Sequence, residues 1–336
     1  MKAFCLEGAF GLNNIKIKEV AQPEPGEGEI LIKLKAASLN YRDVLMAEGK
    51  YNPRLQLPVV PLSDGVGEVV STGAGVDRFK EGERVCPIFA LNWLQPDIPV
   101  DIFKHTLGGP LDGTLRQYMV TSQDAVVKVP EYLSDAEAAT LPCAALTAFN
   151  SIVTFGQIQK GQVVLVLGTG GVSIFATQIA LAQGAEVIVT SSNDEKLERA
   201  GVLGAQHLIN YNSNENWHKQ AREITGGRGV DLVVEVGGAG TLEKSIKSVK
   251  NGGHISLIGI LAGSGKDFNL LPILMRNIRV QGILVGCRDD FEQMNQMFAQ
   301  HQIKPVVDQT VDFESSLDAF NELKSGSHFG KVCIKI

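Results

Sequence analysis

The chain has 336 residues, enough for about two domains with a large buried core, and 44% of them are hydrophobic and 20% charged. Those proportions belong to a folded globular protein and exclude a disordered or fibrous one. A net charge of −6 without any block of like charge leaves no electrostatic footprint for nucleic acid or an anionic membrane.

The apolar stretch of "MKAFCLEGAF" ends at Glu7, too soon for a signal peptide, and no run reaches the roughly 18 apolar residues of a membrane span. A cytoplasmic location is the expectation. Cys5, Cys86, Cys143, Cys287 and Cys333 are scattered, with no CxxC and no close Cys/His pair, so neither a disulfide framework nor a zinc knuckle is signalled.

In chain order, the first 125 or so residues read as short strands and turns. "ILIKLKAASLN" alternates apolar and polar, "VGEVVSTGAG" enters a glycine turn, and "QYMVTSQDAVVKVP" holds two further short strands. The pattern then changes. Ser134 and Glu137 form a capping box, and Pro142 opens a second helical stretch. Strands are predicted at 163–167, 186–190, 207–210, 231–236, 254–260 and 279–285, with helical stretches such as "VSIFATQIALAQ" and "NDEKLERAGVLG" between the first of them. Such alternation predicts a doubly wound parallel sheet. The tail is mixed: Phe291, Met294, Met297 and Phe298 lie at helical spacing as core, a short helix spans 315–325 before Gly326, and "KVCIKI" is a last strand.

One stretch carries chemistry. "LVLGTGGVSIF" (165–175) is a buried strand that breaks into glycines and resumes as a helix. That context gives the dinucleotide fingerprint its meaning: backbone N–H groups at a helix N-terminus favour a pyrophosphate, and side chains there would block it. Gly168 and Gly170 fit the role, with Gly171 and Val172 in the same turn. Ser173 replaces the third glycine of GxGxxG, at a position that serves helix-to-strand packing, where so small a residue is tolerated. Where an NAD site has an acidic residue after the second strand, this chain has Ser191 and Ser192, with Lys196 one turn along. A carboxylate there would repel a 2′-phosphate by about 4 kcal/mol per charge pair at about 4 Å, whereas serines and a lysine accept it. NADP(H) is therefore the expected cofactor, although Asp194 and Glu195 lie nearby.

With both halves placed, the chain resembles the medium-chain dehydrogenase/reductase superfamily, in its zinc-independent, quinone-oxidoreductase-like branch. The likeness runs the whole length, through "PLSDGVGEVVSTGAGVDRFKEGERV", "LPCAALTAF", "GTGGVS", "INY", "GGRGVDLVVEVGG" and "GSHFGKV". It implies an α/β chain: a GroES-like, mostly β catalytic domain at 1–126, completed by 287–336, and a Rossmann nucleotide-binding domain at 127–286. Zinc-bearing members place a Cys in the segment matching "SLNYRD", a His-Glu pair in "SDGVG" and a Cys in "LPCAALTA"; here stand Asn40, then Ser63 and Asp64, then Cys143. One thiol out of that set is too few ligands, and no metal is expected. The cysteine-rich loop of a structural zinc is missing after Cys86.

The resemblance also implies that Thr147 meets the nicotinamide, that Lys196 and Tyr211 meet the 2′-phosphate, and that Gly259, Ile260 and Lys331 border the cofactor. Without a metal, charge developing on a substrate oxygen needs side-chain donors, for which Asn40, Tyr41, Tyr51 and Ser63 are the candidates. Tyr41 is the one that could also deliver a proton. The segment 88–108, with Trp93 and Phe103, is expected to border the substrate. The function expected is NADPH-dependent reduction of a conjugated carbonyl: an enone, enal or quinone. A zinc-free alcohol dehydrogenase or carbonyl reductase, and a non-catalytic nucleotide-binding protein, are the alternatives. A homodimer through the edge strand 279–285 is expected from its unpaired backbone groups and from the resemblance.

Overall fold

The computed structural model describes residues 1–259, 261, 265 and 269–336. It divides into two compact units, one of residues 1–146 with 285–336 and the other of residues 147–284. Among the described residues no helix is long and apolar enough to cross a membrane.

In chain order the first unit supplies β1 (Lys2–Leu6), β2 (Ile15–Glu19), β3 (Glu29–Ser38), β4 (Asp64–Thr72), β5 (Arg84–Pro87), β6 (Tyr118–Ser122) and β7 (Val126–Lys128). The second supplies β8 (Val163–Leu167), β9 (Glu186–Ser191), β10 (His207–Asn210), β11 (Val230–Glu235), β12 (Val249–Leu257) and β13 (Arg279–Gly282). The chain then returns to the first unit with β14 (Val307–Asp312) and β15 (Lys331–Lys335).

The first unit is the mostly β half that the alternating pattern predicts. Its larger sheet runs β14-β15-β3-β4-β5-β7, with β6 paired to β3, while β1 and β2 form a separate hairpin. Strand β3 is the spine, because its apolar face, Ile30, Ile32 and Leu34, is buried with Val69, Val85 and Met119. The return of the chain completes this unit. β15 pairs antiparallel with β3, Cys333 opposite Ser38. Of the predicted apolar stripe, Phe291, Met294 and Phe298 are fully buried on the helix Arg288–His301, and Met297 is half-buried at its margin.

The boundary lies near 146 rather than 126. Residues 127–146 belong to the first unit because their backbone is bonded there. The Cys86 thiol donates to Ala138 O (3.3 Å), the Cys333 thiol to Ala136 O (3.4 Å), and the Cys143 N–H to Asp64 Oδ2 (3.2 Å). The Ser134–Glu137 capping box forms as predicted, with Ser134 N–H on Glu137 Oε2 at 2.7 Å.

In the second unit all six strands are parallel, in the order β10-β9-β8-β11-β12-β13, the doubly wound arrangement. Its central strand β8, VVLVL, is buried at every position, as a strand covered on both faces must be. β12 begins and ends earlier than the 254–260 expected, and β13 is a short edge of four residues rather than seven.

Asp231 ties three strands at one end of this sheet. Its carboxylate accepts from the Val163 N–H at the start of β8 (2.8 Å), from both Arg228 guanidinium nitrogens (2.9 Å each) and from Lys250 Nζ on β12 (2.6 Å). Burial pushes its pKa up, but these donors outweigh burial and hold it at about 2. A carboxyl with a depressed pKa adds stability above its ordinary value of 3.8, and that stability is lost as the pH falls towards 2. Asp231→Asn should therefore lower the melting temperature by about 3–6 °C at pH 7, and the gap should narrow only below pH 4. Thermal unfolding of both proteins across pH checks this; an equal gap at every pH would contradict it.

Candidate functional site

In the first unit the β-sheet register gathers the polar residues. Asp64 opens β4 opposite Ser38, the last residue of β3. Two residues on, Asn40 caps the helix Tyr41–Ala47, its N–H donating to the Asp43 carboxylate at 2.7 Å. Lys331 opens β15, on the other side of β3, and its ammonium donates to Asn40 Oδ1 (2.6 Å) and to Leu39 O.

Asp64 is fully buried, as is Ser63. Both its carboxylate oxygens accept: Oδ1 from the Ser63 hydroxyl at 2.7 Å, Oδ2 from the Cys143 N–H at 3.2 Å. Burial raises its pKa, and the Lys331 ammonium and these hydrogen bonds oppose the rise. The Asn40 amide nitrogen sits beside this carboxylate without reaching hydrogen-bond geometry, and it has no other partner.

The four expected donors are not equivalent. Ser63 has spent its one proton on Asp64, so it is a brace for that carboxylate rather than a donor to a ligand. Tyr51 lies against the Arg42 guanidinium, 5.4 Å from its ring centroid, with Phe89 at 4.8 Å from the same cation. Arg42 in turn holds Leu107 O (2.9 Å) and Gly109 O (3.4 Å). Tyr41 is 42% exposed, whereas the Asn40 amide nitrogen is enclosed. Of the 88–108 segment, Trp93 is core and Phe103 is exposed.

Lys331, expected at the cofactor, is 3% exposed, and its ammonium is engaged within its own unit by Asn40 and Leu39. The reason is electrostatic: two buried carboxyls, Asp43 and Asp64, lie in its field. The donor set does not fit zinc. Burial and the Asp64 charge push the Cys143 thiol well above its usual range, Asn40 Oδ1 already accepts from an ammonium, and the Ser63 hydroxyl is committed. Among the described residues no group of three or more His, Cys, Asp or Glu could hold a metal.

The second unit carries the glycine turn. Gly168 follows β8 at φ +75°, a conformation that side chains resist, and Gly170 caps the helix Gly171–Ala182. The first-turn N–H groups of Gly171 and Val172 have no intrahelical acceptor and face outward with the positive end of the helix. Ser173 serves packing as expected, buried with its hydroxyl donating to Leu167 O at 2.7 Å.

Ser191 ends β9 opposite Asn210 on β10, and Tyr211 N–H donates to Ser191 O at 3.0 Å. Asn193 caps the next helix by accepting from the Lys196 N–H at 3.0 Å. The strand ends thus bring Ser191, Ser192, Lys196 and Tyr211 to one edge. Asp194 beside them accepts from the Asn210 amide at 2.7 Å. These residues fit the phosphate end of NADP(H), and the glycine turn fits its pyrophosphate. Thr147 is buried at the start of this unit. At Gly259 a Cβ would meet Val236 O at 2.2 Å, so only glycine fits; Ile260 lies outside the described residues.

Sequence reasoning passed over Glu235. Fully buried at the end of β11, it accepts from the N–H groups of Gly237 (2.7 Å) and Gly238 (3.0 Å) and from the hydroxyls of Thr241 (2.6 Å) and Ser245 (2.5 Å). It fixes the loop beside β8, where the strand order reverses. An acid set among the apolar residues of "DLVVEV", two positions before Gly237-Gly238, was the available signal.

Two family models match: the alcohol dehydrogenase GroES-like domain over residues 26–131 and the zinc-binding dehydrogenase domain over residues 171–300. A zinc-type alcohol dehydrogenase-like protein of Schizosaccharomyces pombe is 45% identical over 97% of this chain and 96% of its own. An acryloyl-coenzyme A reductase of Sulfurisphaera tokodaii is 30% identical over 100% of both chains. Among solved structures, a putative alcohol dehydrogenase from Sinorhizobium meliloti 1021 superposes with a TM-score of 0.91 at 41% identity, covering 96% of this chain and 95% of that one.

Asp43 gives the first unit a signature in pH. Burial pushes its pKa from 3.8 up to about 6, against the Arg42 guanidinium and the Asn40 N–H. A carboxyl that is easier to protonate in the folded state loses stabilising influence as the pH rises from about 4 to 6. Asp43→Asn, which keeps an acceptor for the Asn40 N–H, should gain stability relative to the parent by about 3–6 °C in melting temperature between pH 4 and pH 7. Parallel melting curves across that range would contradict it.

Proposed function

Because the chain belongs to the medium-chain dehydrogenase/reductase superfamily, and is thereby an NAD(P)-dependent oxidoreductase, we propose that it reduces a carbon–carbon double bond conjugated to a carbonyl, using NADPH and no zinc. The observation that carries this reading is the buried polar cluster of the first unit, which holds a hydrogen-bond donor on Asn40 and a donor set of the wrong kind for a Lewis acid. The family model and the S. pombe relative bear zinc in their names, but the donors of this chain are of the wrong kind. The likeness to an acryloyl-coenzyme A reductase, whose substrate by name is a conjugated thioester, supports the enone class. A non-catalytic role does not agree with the family.

The cofactor, when bound, supplies the hydride. The rest falls to the protein. Hydride arriving at the β-carbon builds negative charge on the carbonyl oxygen, and the enclosed Asn40 N–H donor stabilises that charge more in the transition state than in the ground state. Tyr41, exposed beside it in sequence, is the candidate to return a proton to the α-carbon. Preference for NADPH rests on Ser191, Ser192, Lys196 and Tyr211, where no carboxylate ends β9. Five unpaired thiols fit a reducing, cytoplasmic location.

Two copies pair through β13. It is the edge of its sheet, and Leu270, Leu271, Leu274 and Met275, just before it in the chain, are 58–72% exposed.

A panel of enones, enals, quinones and alcohols should show NADPH oxidation fastest with the conjugated carbonyls; faster turnover of simple aldehydes or alcohols would establish the alcohol dehydrogenase reading instead. Activity should survive dialysis against a chelator, and one zinc per chain by elemental analysis would overturn the metal-free site. Ser191→Asp should weaken NADPH binding by at least about tenfold while sparing NADH. Light scattering should give twice the 36.1 kDa chain mass, and a monomer would refute the pairing.

A further inference from the structure

The reading above makes Asn40 the donor to the substrate oxygen, and the inference that follows rests on it. A terminal amide has an oxygen and a nitrogen of nearly equal size, and either end could be presented to a substrate unless a neighbour decides. Here the neighbour is an ammonium. Lys331 Nζ lies 2.6 Å from the Asn40 side chain, and a group with three donors and no acceptor can be met only by Oδ1. The same ammonium also donates to Leu39 O, so it is fixed from two sides. Nδ2 is then the end that lies beside the Asp64 carboxylate, without a hydrogen bond of good geometry to it. That nitrogen carries two N–H groups and only one can face Asp64, so the other is an enclosed donor, costly unless a ligand supplies an acceptor.

We infer that Lys331 is a positioning residue for the reaction: by holding Asn40 Oδ1 it locks the amide with one N–H beside Asp64 and the other left for the substrate oxygen, and its charge balances the buried Asp64 carboxylate. A cation tethered to β15 thus stands where the donor set fails to fit a metal. The arrangement assigns each atom one task. Asp64 is braced by Ser63 and the Cys143 N–H, Lys331 lies in its field, and Asn40 bridges the ammonium and the ligand.

Steady-state kinetics of the full-length protein, with NADPH and the fastest conjugated carbonyl of the panel, test this through a double-mutant cycle. Asn40→Ala should lower kcat by up to about 10²-fold. Lys331→Met should lower it about tenfold by letting the amide turn, with the KM of the substrate and the Kd of NADPH within about twofold of the parent. The double variant should be no slower than Asn40→Ala alone, since a lysine that acts only through Asn40 has nothing left to position. Denaturant unfolding gives a second readout, in which the destabilisations of the two single variants should also fail to add. A parental kcat for Lys331→Met, or losses in kcat that multiply, would overturn the role of Lys331 while leaving Asn40 as donor. A parental kcat for Asn40→Ala would instead sink the donor reading itself. If Lys331→Met does not fold with Asp64 unbalanced, Lys331→Met/Asp64→Asn is compared with Asp64→Asn, and the same tenfold loss is expected.

Discussion

A carboxylate with no exposed surface cannot be left to itself, and Asp64 is one. Water cannot solvate it, so the protein must supply both hydrogen bonds and a counter-charge. Those demands determine its surroundings: the Ser63 hydroxyl and the Cys143 N–H take its oxygens, and the Lys331 ammonium is drawn into the interior, where Asn40 and Leu39 hold it. Three separated stretches of chain are needed to meet them. Residues 63–64, 141–146 and 331–335 belong to one unit partly for this reason.

The second unit obeys a different constraint. Its central strand β8 is buried on both faces and wholly apolar, so chemistry there is confined to the loop at its carboxyl end. At β8 the loop is the glycine turn; at β9 it carries Ser191 and Ser192; at β11 it is anchored by Glu235 through four donors. Each loop is fixed by hydrogen bonds of its own. On the function proposed above, a nucleotide would meet a surface already ordered by these bonds and spend little binding energy on ordering it.

The family supplies the scaffold, and the chemistry resides in what is mounted on it. Names that carry zinc attach to the family model and to a relative of 45% identity, yet the donors of this chain are an amide whose oxygen is occupied, a hydroxyl whose proton is committed and a thiol held protonated. Such groups suit the stabilisation of a developing oxyanion by hydrogen bonding rather than by a Lewis acid.

Local pattern was enough for much of this protein. Strand β8 and the capping box at Ser134 were legible because alternation, apolar runs and side-chain-to-backbone caps act over a few residues. The glycine turn was legible for the same reason, since φ at Gly168 is a property of one residue. The serines ending β9 could likewise be read against the acid that an NAD site would have there. What sequence could not fix were pairings between distant residues. Lys331 lies 291 positions from Asn40, and nothing local says that its ammonium turns to that amide and to Leu39. The boundary near 146 moved for the same reason, because Cys143 and Ala138 are bonded to residues 79 and 52 positions away. Sequence determined which groups are present and which local conformations they favour; tertiary structure alone decided how buried charge is compensated, because a carboxylate in the interior is answered by whichever donors the packed chain brings within hydrogen-bond reach.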